Sequence, residues 1–198
     1  MMLKIGITGG IGSGKTVVSK CFQLLGIPVY NADDAAKKLM NENRDLRILL
    51  INHYGKDVFN TDNSLNKSWL ANKVFNDDTE LQKLNSLVHP VVADDYQKWL
   101  ELQKDALYTV REAAILFETG LWKELDFVIL VDAPEALRIQ RVQLRDHRTV
   151  EAIKAIIQRQ WQSDKKRTFA HAIIENDDQH LVLPQVMNLH SKFLNYGS

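Results

Sequence analysis

Gly9-Gly10-Ile11-Gly12-Ser13-Gly14-Lys15-Thr16 satisfies every fixed position of the phosphate-loop pattern G-x-x-x-x-G-K-[ST]. The apolar run Leu3-Lys4-Ile5-Gly6-Ile7-Thr8 ahead of it reads as a buried strand, and Thr16-Val17-Val18-Ser19-Lys20-Cys21-Phe22 behind it reads as the start of a helix. Five glycines fall within the nine residues that begin at Gly6. They let the backbone curl so that the N–H groups from Gly9 to Thr16 face phosphate oxygens. The partial positive charge of the helix N-terminus lies at the same place. Lys15 is placed to reach β- and γ-phosphates, and the Thr16 hydroxyl to hold Mg²⁺. The competing reading is a glycine-rich turn that binds nothing. The Lys-Thr pair and the strand–loop–helix context favour a nucleoside triphosphate.

Outward from this loop, short apolar runs at 3–8, 27–30, 108–113, 127–132 and 172–174 alternate with longer helical patterns. That alternation predicts an α/β protein, a P-loop NTPase three-layer fold with a five-stranded parallel sheet and helices on both faces. Ligands of such sheets sit at the carboxyl ends of the strands, so chemistry is expected just after each one. Residues 34–107 interrupt the alternation with mostly helical spacing and predict a helical insertion, either an acceptor-binding subdomain or helices that simply pack on the core. His89-Pro90 within it reads as a helix end. A lid is expected over 138–168, and 1–198 is expected to be a single domain.

Composition narrows the partners. The 198 residues carry 25 basic and 25 acidic side chains and are 45% hydrophobic. Zero net charge argues against a broad nucleic-acid surface. No apolar run approaches the ~20 residues a membrane helix needs. With the first strand read from Leu3, no signal peptide is expected, and the single cysteine, Cys21, excludes an internal disulfide. A cytoplasmic protein, monomeric or weakly homo-oligomeric, is expected.

Several charged residues follow the predicted strands. Asp33, in Asn31-Ala32-Asp33-Asp34, is placed either to accept a proton from an attacking hydroxyl or to cap the next helix. Glu112 ends an apolar strand and is placed to hold a metal-bound water or to be a rim charge. Arg138, Arg141, Arg145 and Arg148 share one helical face by spacing, either a cationic stripe for phosphates or a solvated face paired with Glu135 and Asp146. Asn176, in Glu175-Asn176-Asp177-Asp178, falls in a loop expected over the nucleotide base or in a plain capped turn.

Thr8-Gly9-Gly10-Ile11-Gly12-Ser13-Gly14-Lys15-Thr16 resembles the T-G-G-I-G-S-G-K-[ST] loop of dephospho-CoA kinases. In order along the chain, Asn31-Ala32-Asp33 is similar to the family's D-x-D, His89-Pro90 to its H-P pair, and Ile115-Leu116-Phe117-Glu118 to L-L-F-E. Gln140-Arg141 through Arg145-Asp146 is similar to its lid helix, and Ile174-Glu175-Asn176-Asp177 to its late I-x-N-x loop. The resemblance implies phosphorylation of the ribose 3′-hydroxyl of dephospho-CoA by ATP with Mg²⁺. It implies Asp33 as base, Lys15 and Arg141 as stabilisers of the transferred phosphoryl group, and Arg145 and Asn176 at the nucleotide. It also implies His89, Phe117 and Glu118 at the acceptor, with Thr16 and, through water, Glu112 at the metal. Two departures stand out: Asn31 replaces the first aspartate of D-x-D, and Glu112 and Ala114 replace the aspartate and proline before L-L-F-E.

Two other readings compete for the same residues. A kinase for a nucleoside or nucleoside monophosphate would use the same loop and arginines. A nucleotide switch would need D-x-x-G after the third strand and N-K-x-D for the base. The first occurs nowhere, and Asn66-Lys67-Ser68-Trp69 lacks the aspartate of the second.

Overall fold

The structure, a computed structural model, describes residues 2–75 and 77–196. β1 (Leu3–Thr8) lies at the centre of a five-stranded sheet in the order β2-β3-β1-β4-β5. Its partners are β3 (Tyr108–Glu112) and β4 (Phe127–Asp132). β2 (Val29–Asn31) and β5 (Ala172–Glu175) form the edges, and every pair is parallel. All six residues of β4 and all five of β3 are buried, as expected for strands covered on both faces. Parallel pairing brings every carboxyl end to one rim. In the register there, Glu112 faces Ile7 on one side and Asn31 on the other.

Two compact units divide the chain. One joins β1, α1 (Lys15–Leu24) and β2 to everything from Gln103 onward; the other is Ala32–Leu102. In the first unit, α1 packs with α9 (Val182–Leu194) over the sheet. Val18, Phe22, Val186, Leu189 and Phe193 join Ile5, Ile7 and Val131 in the main core. α6 (Glu135–Asp146) and α7 (Val150–Arg159) meet through Val142, Ile153 and Ile157. α8 (Ser163–Phe169) follows. Thr149 starts α7 by accepting a hydrogen bond from Ala152 N at 3.3 Å.

The second unit is helical: α2 (Ala32–Glu42), α3 (Arg44–Tyr54), α4 (Lys67–Phe75) and α5 (Asp78–Glu101). Asn43 caps α3 and Asp77 caps α5 through their side-chain oxygens. His89-Pro90 does not end a helix; both residues lie inside the 24-residue α5. Pro90 forfeits one backbone donor and clashes with the preceding turn. The helix continues because Leu84, Val88, Val92 and Tyr96, at four-residue spacing, are all buried on one side while Pro90 is exposed.

Three further boundaries differ from the sequence reading. β2 starts at Val29 and runs to Asn31. α2 starts at Ala32, so Asp33 lies within the first helical turn and is not its N-cap. α6 ends at Asp146 with His147 in the left-handed conformation, so Arg148 lies off the helix that carries Arg138, Arg141 and Arg145. No helix among the described residues is long and apolar enough to cross a membrane.

Candidate active site

The loop between β1 and α1 is shaped by contacts that only glycine tolerates. Gly14 has φ +93, and a Cβ there would lie 2.1 Å from Asn176 Nδ2. Gly12 has φ +78, and its Cβ would lie 2.4 Å from the Arg138 carbonyl oxygen. Two neighbours and one internal bond hold the loop. Gln160 Oε1 accepts from Ile11 N at 2.9 Å, Asn176 Nδ2 donates to Ser13 O at 2.8 Å, and Ser13 N donates to Gly10 O at 3.1 Å. With these groups fixed from behind, the start of α1 is left facing the cavity. Its first turn carries no acidic residue, which suits an anion.

That cavity, about 300 Å³, is lined by Gly12, Gly14, Lys15, Thr16, Arg141 and Arg145 among others. Lys15 Nζ donates to Gly9 O at 3.0 Å, which lays the ammonium along the loop. Arg141 donates to Asn176 O at 2.9 Å and pairs with Asp178, so it is tied to the loop after β5. Arg145 pairs with its neighbour Asp146 at 2.7 Å and is mostly exposed. Arg138 is 6% exposed and packs against Gly10. A larger cavity of about 550 Å³ contains no residue of the glycine loop. Glu135, Asp164 and Asp177 line it alongside an Asp132–Arg167–Glu175 cluster, so it suits phosphate less well.

At the foot of the loop, Thr16 Oγ1 donates to Glu112 Oε1 at 2.9 Å, and Asn31 Nδ2 donates to Glu112 Oε2 at 3.0 Å. Glu112 is 3% exposed at the end of an interior strand, so it is neither an edge-strand charge nor a solvated one. A hydroxyl and a carboxylate side by side are hard oxygen groups that suit Mg²⁺ and the waters it keeps.

The predicted acceptor residues are distributed differently. Phe117 is 1% exposed, stacked on Trp161 at 6.3 Å and edge-on to Trp122. Glu118 Oε1 accepts from Trp161 N at 2.8 Å and lies 3.0 Å from Lys166 Nζ. Lys166 is itself 1% exposed; burial pushes its pKa down against the pull of Glu118. Both residues therefore brace the segment after β3 against the α7–α8 region. His89 and Asp33 belong to the helical unit, His89 half-buried in α5 and Asp33 exposed in the first turn of α2.

Sequence reasoning did not reach Gln160, Lys166 or the Asp132–Arg167–Glu175 cluster. Asp132 Oδ1 accepts from Ser163 Oγ and its Oδ2 from Arg167 Nε. Its one legible signal was a charge at the end of an apolar strand.

A glycine loop after the central strand, a 2-3-1-4-5 parallel sheet and a helical unit between β2 and β3 define a small-molecule kinase of the P-loop class. A family model described as dephospho-CoA kinase matches residues 3–181. A dephospho-CoA kinase of Bacteroides fragilis is 37% identical over 190 residues, which cover 96% of this chain and 92% of that one. The crystal structure of TT1252 from Thermus thermophilus superposes with a TM-score of 0.82 at 28% identity, covering 100% of this chain and 98% of its own. A dephospho-CoA kinase from Campylobacter jejuni shares the fold, with a TM-score of 0.63 at 23% identity over 96% of both chains. The chain belongs to the dephospho-CoA kinase family.

Proposed function

We propose how this chain's own residues carry out the family's reaction, transfer of the γ-phosphoryl group of ATP to the ribose 3′-hydroxyl of dephospho-CoA to give coenzyme A and ADP. The observation that carries the assignment is the Thr16–Glu112 contact at the foot of the glycine loop. The residues Gly9 to Thr16 cradle the β- and γ-phosphates with backbone N–H groups. Thr16 and, through water, Glu112 would hold Mg²⁺, which when bound would supply neutralisation of charge on the phosphate oxygens.

Lys15 leaves the Gly9 and Gly10 carbonyls and donates to the transferring group. Arg141, tied to Asn176 and Asp178, stabilises the transferred phosphoryl group beside Lys15, and Arg145 supplies a further cation at the nucleotide. The acceptor oxygen forms its bond to the γ-phosphorus as the bond to the bridging oxygen breaks and ADP departs. Asp33 takes the hydroxyl proton. His89 and the rest of the helical insertion contact the acceptor, while Phe117 and Glu118 act on it through the shape of the segment they hold. The α6–α8 region, predicted as 138–168, closes as a lid.

Asp33→Asn tests the assignment. Turnover falls at least about 10²-fold, the usual scale for a lost general base, while ADP affinity is retained. Turnover near the wild-type value moves the base elsewhere.

A further inference from the structure

Glu112 is a buried carboxylate, and such a group needs a hydrogen bond on each oxygen to be held in one orientation. Thr16 supplies one of these bonds and Asn31 the other, at 2.9 and 3.0 Å. The second follows from register: Asn31 and Glu112 are direct partners on the neighbouring parallel strands β2 and β3, so their side chains leave the sheet side by side. The chemistry at position 31 also matters. An amide donates without charge, whereas a carboxylate there would set two negative charges about 3 Å apart at the Asn31–Glu112 spacing. The two departures from the family pattern, Asn31 and Glu112, meet in this one contact.

We propose that Asn31 is a positioning residue of the phosphoryl-transfer centre: its amide fixes the Glu112 carboxylate so that the opposite oxygen stays on Thr16. The inference rests on the reading of Thr16 and Glu112 as the metal-side pair. With the amide removed, the carboxylate rotates about its last carbon–carbon bond and the Thr16 hydroxyl loses a fixed partner. Asn31 is also the last residue before α2, which carries Asp33, so the group that orients the metal-side carboxylate is two residues from the proposed base along the chain.

The test is calorimetric titration of ADP into the full chain, first in EDTA and then across a Mg²⁺ series, for wild type, Asn31→Ala, Asn31→Leu and Thr16→Val. The leucine variant keeps the side-chain volume without a donor and guards against collapse of the smaller one. Melting curves in EDTA report whether each variant is folded. The expected result is that both Asn31 variants keep the metal-free ADP affinity, while the Mg²⁺ concentration giving half of the affinity gain rises about 10-fold, the scale for losing a partner of a metal-holding group. An unshifted Mg²⁺ midpoint in the Asn31 variants, with a shifted one in Thr16→Val, overturns the role of Asn31 alone. An equal loss in EDTA and in Mg²⁺ overturns it too, by making Asn31 a general scaffold residue. An unshifted midpoint in Thr16→Val overturns the underlying reading of the metal side.

Discussion

Gly14→Ala is the substitution whose cost the structure specifies most closely. Gly14 holds φ +93 and ψ 21 at the N-cap of α1, and an alanine methyl group would meet Asn176 Nδ2 at 2.1 Å and Asn176 Cγ at 3.3 Å. Two terms add. A non-glycine residue in the left-handed region costs about 1–2 kcal/mol. Relief of the clash must swing the Asn176 amide away and break its 2.8 Å bond to Ser13 O, worth about 1 kcal/mol. The sum is about 2–3 kcal/mol, and for a chain of this length each kcal/mol lowers the melting temperature by about 2–4 °C. A calorimetric melt should therefore show a fall of about 4–12 °C. ADP affinity should also fall, because the moved amide no longer holds the loop from behind. A double-mutant cycle with Asn176→Gly isolates the contact: the pair should be less destabilised than the two single variants summed, by about 1 kcal/mol. Strict additivity, or a single variant melting within about 1 °C of wild type, refutes the reasoning that the glycine is there for the Asn176 approach.

Two other perturbations have defined outcomes. Lys166→Met leaves the partly buried Glu118 with the Trp161 N–H as its one donor among the described residues and should cost about 3 kcal/mol, the lower end for breaking a buried pair, while Lys166→Met with Glu118→Gln should regain most of it; thermal melts at pH 7 decide. Tyr108, whose hydroxyl lies 2.6 Å from His190 Nδ1, has its pKa raised by burial. Its contribution is complete below the ordinary tyrosine value of about 10 and is lost as pH rises beyond it, because the unfolded chain ionises first. Urea titrations between pH 8 and pH 11 should show this alkaline loss in wild type and a flatter profile in Tyr108→Phe.

How much of this was legible beforehand depends on whether the signal was local. The glycine loop was, because each of its fixed residues answers one demand of a phosphate within eight positions. The five strands were, because apolar runs bounded by turns are short-range patterns. Pro90 misled because a proline's local cost was overruled by four buried residues on the opposite side of α5. Arg148 was placed on a helix by spacing alone, although nothing in spacing marks that the helix stops at Asp146. Gln160 and Lys166 carry no pattern at all. Their roles come from chain segments some 150 and 50 residues away, at Ile11 and Glu118. The Asn31–Glu112 bond joins two residues that looked like separate departures until strand register set them side by side.

The central claim, ATP-dependent phosphorylation of dephospho-CoA at this loop, is tested most directly by ADP release with Mg-ATP against dephospho-CoA, adenosine, AMP, CMP, UMP and no acceptor. The account predicts release that depends on dephospho-CoA, with one phosphoryl group gained by the product in mass spectrometry. Release that depends instead on a nucleoside or a monophosphate, or that ignores the acceptor, would contradict it.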